Sequence, residues 1–192
     1  TDSPSSSTST TLVYDTDGKI QARYDKIHLF DATLGSTETY HESSHTSPGN
    51  KIISCDTPVG KIGLSICYDL RFPELFRCLY DQGVEVYVAP SAFTRTTGRA
   101  HWHTLCKARA IENSCYLVAA NQGGQHDCGR DTYGHSMIID PWGRVIREAQ
   151  DNNTIITAQI DPEITRMVRT HTPFTSHRRI QRINHHSEFK TQ

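Results

Sequence analysis

A chain of 192 residues, 35% of them apolar, is long enough for one domain with a substantial core and too short for two of ordinary size. Its 20 basic and 21 acidic residues leave a net charge of −1, so no long-range field points to nucleic acid or an anionic membrane as partner. No window is apolar for the length of a membrane span and no signal peptide is visible; Thr1 rather than Met leaves room for a longer product.

Six cysteines occur (Cys55, Cys67, Cys78, Cys106, Cys115 and Cys128) with no CxxC pair, in a chain too long and too rich in α/β pattern to need staples. Cys78, Cys106 and Cys115 sit among apolar neighbours and read as small core residues. A reducing compartment follows: the cytoplasm is expected, with the mitochondrion left open by the N-terminus.

TDSPSSSTSTT, at the start, is polar and Ser/Thr-rich, a loop or disordered stretch. TLVYDTDGKIQARYDKIHLF reads as two strands around Asp-Gly, a strong hairpin signal. Residues 31–50, full of Ser, Thr, Gly and His, have no clear period and are expected to form a long loop of the kind that carries function. A buried strand over 61–66 feeds a helix over 72–81 that ends at Gln82-Gly83. VEVYVAPSA is a second buried strand, leaving on Pro90; HWHTLCKARAIENS has helical spacing through Trp102, Leu105, Ala108 and Ile111; CYLVAANQ is a third buried strand.

SMIIDPWGRVIREA then reads as a hairpin turning on Pro141-Trp142-Gly143, TIITAQIDP as a further strand, and 163–169 as a short helix. Nearly continuous apolar strands alternating with helices predict an α/β fold with covered sheet faces. The tail from His171 is basic and rich in His, an arm lying on something else.

Cys67 stands at the seam where the 61–66 strand becomes a helix, within GKIGLSICYDLRFPEL. A turn of this kind exposes a side chain at the C-terminal edge of the sheet and brings the first backbone N–H groups of the helix close to it. Such donors favour a thiolate and can hold the oxyanion of a tetrahedral intermediate, so Cys67 is the candidate nucleophile. A nucleophilic thiol needs a base and an electrostatic partner. Lys26, in YDKIHLF, ends a strand and enters the long loop; Glu42, in YHESS, lies within that loop.

Together these segments resemble the nitrilase (carbon–nitrogen hydrolase) superfamily. YDKIHLFD is similar to its lysine motif, SICYDLRFPEL to its nucleophile elbow, AHWHTLCKARAIENSCYLVAANQ to the helix and strand that follow, and YGHSMIIDPWGRVI to the later hairpin. The ICYDLRFPEL, DPWG and SHRR segments look most like the Nit branch, which includes deaminated glutathione amidases. The resemblance implies an α-β-β-α sandwich, here incomplete at its N-terminal side, with a partial domain over 1–177 and a basic tail over 178–192. It implies an amidase of the EC 3.5.1 type acting on a small linear amide through a Cys67 thioester, with no cofactor. It also implies a homodimer or larger homo-oligomer, built on the helices over 67–81 and 101–113 with the 171–182 arm crossing over.

By the same resemblance Lys26 stabilises the intermediate, the backbone N–H of Tyr68 is its oxyanion partner, and Glu42 is the second glutamate, which orients the lysine or the substrate. The first glutamate, the general base, belongs upstream of the lysine motif, and no glutamate precedes Glu38 here. The chain by itself is therefore expected to be nearly inert, with Glu38 or Asp69 as the residues to examine for a replacement base.

Phe93 and Thr94, after the second buried strand, and Asn121 and Gln122, at the end of the third, fall at strand C-termini, where open α/β sheets place their ligands. His126 and Cys128 lie in a Gly-rich loop of the sort that lines pockets. His101 and His103 are two apart on a helix and point to different faces, with no Cys or carboxylate set to complete a site, so no metal centre is expected. Arg109 and Glu112 read as structural, and Arg178, Arg179 and Arg182 as a solvated or subunit-clasping tail. Two alternatives stay open: a Cys–His acyl transferase or protease, with Cys67 served by His135 and Asp140, and a non-catalytic subunit kept for assembly.

Overall fold

A hairpin comes first in the computed structural model, which describes residues 7–35, 38–127, 129–149 and 154–180. Its strands β1 (Thr10–Tyr14) and β2 (Ile20–Asp25) turn through Asp17-Gly18, with Gly18 at a φ of 75° that glycine takes without a Cβ clash. The stretch expected to be a long loop holds a second hairpin, β3 (Asp31–Leu34) and β4 (Glu38–His41), then a 3-10 turn over Glu42–Ser44. Strands as short and polar as DATL and ETYH carry too little alternation to be read in advance.

The central sheet begins with β5 (Ser54–Thr57) and β6 (Gly60–Leu64). Helix α1 (Pro73–Asp81) leads to β7 (Val86–Val88), and helix α2 (Arg95–Asn113) to β8 (Tyr116–Ala119). A short hairpin inside the Gly-rich loop, β9 (Gly123–Gln125) and β10 (Asp131–Tyr133), precedes β11 (Met137–Ile139) and β12 (Val145–Glu148). Six strands lie in the order β12-β11-β8-β7-β6-β5. The inner β6, β7 and β8 are parallel, with α1 and α2 as crossovers, and antiparallel partners flank them on both sides. Leu64, Tyr87 and Leu117 of these strands pack with Phe76, Leu79 and Trp102 of the helices in one core.

Helix α2 starts earlier than its apolar spacing suggested, because the Thr94 hydroxyl caps it by accepting the Thr97 N–H at 3.2 Å. Its buried stripe also differs: Trp102, Cys106, Arg109, Ala110 and Asn113 face inward, while Ile111 is 45% exposed. The cause is Arg109, which is buried because its Nε donates to Leu70 O at 2.9 Å and its Nη1 pairs with Glu112 at 2.7 Å. A pattern that sends every arginine outward puts the stripe on the wrong residues.

Residues 154–160 form no strand. Ile155 is 92% exposed there, and the period-2 alternation of TIITAQI marks an extended segment without supplying a ladder partner. Helix α3 (Pro162–His171) follows, its Glu163 N–H capped by Asp161 at 2.9 Å. The segment over 171–180 touches α1 of its own chain, through Tyr80 Oη and Thr175 Oγ1 at 2.6 Å and Arg178 and Asp81 at 2.5 Å. Arg179 is exposed, and Arg182 lies outside the described residues. Among the described residues no helix is long and apolar enough to cross a membrane.

Gly98, in the first turn of α2, is where helix and β10 meet: a Cβ there would sit 2.3 Å from Tyr133 Cβ. Alanine gains about 1 kcal/mol of helix propensity, but overpacking costs about 1–3 kcal/mol, so the clash wins. Gly98→Ala is expected to lower the urea midpoint at unchanged m-value. An unchanged or raised midpoint would mean that α2 and β10 are not in contact.

Candidate active site

Strand β6 delivers Cys67 into a strained turn. The residue takes a φ of 49°, a left-handed conformation that costs a non-glycine residue about 1–2 kcal/mol. Backbone bonds hold it: Cys67 N–H donates to Pro90 O at 2.9 Å, and Asp69 N–H to Ile66 O at 3.0 Å. A 3-10 turn, Cys67–Arg71, separates the strand from α1, so the passage is less direct than the sequence suggested. The second N–H of a helical first turn has no intrahelical acceptor, so the Tyr68 N–H takes its partner from outside the turn.

Beneath the elbow lies Asp69, with no solvent exposure. Its Oδ2 accepts the Tyr24 hydroxyl at 2.7 Å and the Ile66 N–H at 2.8 Å; its Oδ1 accepts the His28 N–H at 3.2 Å and meets the His28 ring Nδ1 at 2.7 Å. Burial, and then the Asp69 charge, push the Tyr24 phenol far above its ordinary pKa and keep it a donor. With both oxygens engaged, Asp69 is no replacement base. It fixes the lysine segment against the nucleophile turn.

Lys26 is only 4% exposed, and its Nζ lies 2.6 Å from Glu42 Oε2. The same oxygen accepts the Phe30 N–H at 2.6 Å, and Oε1 accepts from Ser9 Oγ at 3.2 Å. The lysine backbone is clamped on both sides, its N–H to Ser9 O and its carbonyl from Gly49 N–H, each at 2.8 Å. Only glycine fits at 49, where a Cβ would lie 2.1 Å from Asp25 O.

Cys67, Lys26, Glu42, Asn121 and Gln122 all line one cleft of about 880 Å³. Burial pushes the Cys67 thiol above its ordinary pKa; the Ala92 N–H, Lys26 and Arg130 pull it down, and Glu42 pushes it up. Desolvation is the largest of these influences and opposes the thiolate that the donors and cations favour.

Tyr68, Phe93 and Thr94 line a smaller cavity of about 20 Å³ next to Cys67, together with Arg71 and Arg130. Phe93 packs edge-on against Trp102 at 4.9 Å, and its N–H donates to Asn121 Oδ1 at 3.0 Å. Asn121 Nδ2 in turn donates to Gly134 O at 2.6 Å, so this residue braces the strand ends as well as lining the cleft. Thr94 serves chiefly as the cap of α2.

Arg130 escaped the sequence reading. The β9–β10 hairpin folds it back over the end of β7, where Nη2 donates to Ala92 O at 2.6 Å and the guanidinium lies 5.4 Å from the Tyr40 ring centre. Its buried Nε finds no partner among the described residues. In sequence it is one arginine in a Gly-rich loop, and only the hairpin reveals its place.

The Cys–His alternative fails on position. His135 Nδ1 is held by Glu148 at 2.7 Å, Asp140 accepts the Trp142 and Arg144 N–H groups at 2.9 Å, and neither lines the cleft. His126 Nε2 contacts Thr132 Oγ1 at 2.7 Å away from the cleft, and Cys128 lies outside the described residues. His101 stands 3.3 Å from the Arg71 guanidinium. The expectation that nothing completes a set around His103 is corrected, because His135 and Glu148 converge on it.

Comparison with known proteins follows the same lines. The carbon-nitrogen hydrolase family model matches residues 3–170. The deaminated glutathione amidase of Yersinia enterocolitica is 42% identical over 179 residues, covering 93% of this chain and 63% of that protein. That of Dictyostelium discoideum is 46% identical over 173 residues, covering 89% and 60%. The crystal structure of the Caenorhabditis elegans NitFhit protein matches with a TM-score of 0.85 at 46% identity, over 90% of this chain and 42% of that one. The chain thus spans 60–63% of the length of these two curated relatives.

Because burial raises the Cys67 pKa and Lys26 lowers it, iodoacetamide alkylation of Cys67 should still be climbing with pH beyond the ordinary thiol range. Lys26→Ala removes a cation that favours the thiolate, so it should slow alkylation at fixed pH. Peptide mapping reads both effects. A pH-independent rate, or a faster one in Lys26→Ala, would contradict this electrostatic account.

Proposed function

This chain belongs to the carbon–nitrogen hydrolase family, and on that premise we propose that its cleft serves an amidase that cleaves a small linear amide through a thioester on Cys67. The names of the two relatives favour an ω-amide next to a carboxylate or α-keto acid, as in deaminated glutathione. One observation carries the reading: a lysine 4% exposed, held by Glu42 at 2.6 Å, lines the same cleft as Cys67. A cation so deeply placed is costly to desolvate, and a developing oxyanion would give it a use.

In this mechanism the thiol gives its proton to a base as sulfur attacks the amide carbon. Lys26 Nζ and the Tyr68 N–H take the oxyanion. Collapse breaks the C–N bond, and nitrogen leaves with the proton from the base, as ammonia from an unsubstituted amide or as the amine from a substituted one such as deaminated glutathione. Water then adds to the thioester, the S–C bond breaks, and the acid departs as the thiol re-forms. Arg130 lines the same cleft, and its guanidinium suits a substrate carboxylate at the cleft wall. Among the described residues Glu42 is the only carboxylate lining the cleft, and Lys26 and the Phe30 N–H already engage it.

The resemblance assigns the base to a glutamate upstream of the lysine motif. General base catalysis is worth about 10²–10⁴ in rate, so a carboxylate in that place would set the rate of turnover. The second reading is a non-catalytic subunit kept for assembly, in which Lys26 and Glu42 form a structural ion pair. Association into a homodimer or larger is part of the proposal in either case, through the α1 and α2 face, where Ile111 is exposed.

Incubation with an ω-amide of an α-keto acid, followed by mass spectrometry of the cysteine peptides, tests the proposal. A thioester on Cys67 is expected, and Lys26→Ala should reduce its formation by about 10²–10³, the usual cost of losing an oxyanion donor. An adduct on another cysteine, or full acylation in Lys26→Ala, would overturn the mechanism. No adduct in a form that also carries a glutamate upstream of the lysine motif would favour the assembly subunit.

A further inference from the structure

Away from the cleft, three side chains from three elements meet. His103 comes from the middle of α2, His135 from the turn before β11, and Glu148 from the end of β12. Glu148 Oε1 lies 2.7 Å from His135 Nδ1 and 3.0 Å from His103 Nε2, and the three ligand atoms all fall within 4.8 Å of one another. Among the described residues this is the only trio of His, Cys, Asp or Glu so placed, and none of the three lines the cleft around Cys67.

We propose that His103, His135 and Glu148 form a binding site for one divalent transition-metal ion of the zinc type. Two imidazoles and a carboxylate are the donor set of zinc sites that keep an open fourth position, which water would fill here. Imidazole and carboxylate together disfavour soft copper(I), and the absence of a sulfur ligand from the trio sets it apart from thiolate zinc sites.

The rings are aimed before any ion arrives. Gly134 at φ 72° and His135 at φ 59° make two left-handed residues in a row, which turns the His135 side chain toward α2. For His135 that conformation costs about 1–2 kcal/mol. Trp102 Nε1 anchors it by donating to His135 O at 2.8 Å, and the Tyr133 ring stacks on the imidazole at 4.4 Å and 25°. Strain fixed by a buried indole and a stacked ring is the kind of support that metal ligands receive from their surroundings.

The adjustment needed is small. Zinc with bonds of about 2.0–2.1 Å holds tetrahedral donors roughly 3.4 Å apart, so each hydrogen-bonded pair must open by less than about 1 Å, and the two ring nitrogens, within 4.8 Å of each other, need close by no more than about 1.4 Å. Protons also balance. On binding, a ring nitrogen that carries a proton toward Glu148 passes it to the other ring nitrogen or to solvent, and the freed lone pair takes the ion. The ion would tie α2 to the β11–β12 hairpin.

Zinc or cobalt(II) ions alone, added to the purified protein, are the probes. One equivalent of cobalt(II) should give the visible bands of a low-coordinate nitrogen and oxygen site without a thiolate charge-transfer band, and zinc should raise the melting temperature by linkage. Glu148→Gln keeps the size of the side chain and its hydrogen bonding, so the fold survives. It should weaken zinc binding by about tenfold or more, as should His103→Asn, because even supporting residues of metal sites cost about 10–100-fold. Equal affinity in wild type and both variants, a sulfur charge-transfer band, or no binding at millimolar zinc would overturn the proposal.

Discussion

A carboxylate with no solvent exposure, Asp69, collects a tyrosine hydroxyl from β2, the ring and backbone of the histidine two residues after Lys26, and the N–H that precedes Cys67. Leaving water costs an ionised carboxylate several kcal/mol unless donors replace the lost hydration. Here both oxygens are supplied, and the donors come from segments 41 and 45 residues away as well as from the elbow itself. The nucleophile turn and the lysine segment are therefore positioned by one buried group. Glu42 completes the arrangement from the other side by holding Lys26 Nζ.

Strain is concentrated in the same economy of support. Three non-glycine residues among those described have positive φ: Cys67, Ser114 and His135. Ser114 ends α2 as a left-handed cap, an ordinary use of that conformation. Cys67 and His135 are different, because each aims a reactive or ligating side chain out of regular structure. Around Cys67 the burial that holds the turn also raises the thiol pKa, so the cations and the Ala92 N–H only partly restore the thiolate. Under the proposed mechanism the cleft's cations serve a negative oxygen while burial opposes release of the thiol proton, a division of labour that calls for a separate base.

Local patterns explain why much was legible in the sequence. Asp-Gly marked the first hairpin, Pro-Trp-Gly the last, and a thiol between an apolar strand and a helical pattern marked the elbow. The resemblance to the nitrilase superfamily then supplied roles for Lys26 and Glu42, which alone looked like surface charge and loop carboxylate. What stayed hidden depends on contacts between distant segments. Arg109 looks like a surface residue until Leu70 O and Glu112 satisfy it. Arg130 needs the β9–β10 hairpin to reach the cleft, and His103 needs residues 32 and 45 positions later to gain its partners. Phe93 and Thr94 sit at strand ends as expected, yet packing on Trp102 and capping of α2 take most of their contacts.

The most direct test of the central claim is a double-mutant cycle on the Cys67 alkylation rate, crossing Tyr24→Phe with Lys26→Ala. Tyr24 touches Asp69 and does not line the cleft, so its hydroxyl acts on Cys67 through Asp69 and the lysine segment that Asp69 holds against the elbow. The account predicts strong coupling: Tyr24→Phe slows alkylation when Lys26 is present and changes it little once Lys26 is gone. Effects that add to within about 0.3–0.5 kcal/mol, the range for independent sites, would contradict it.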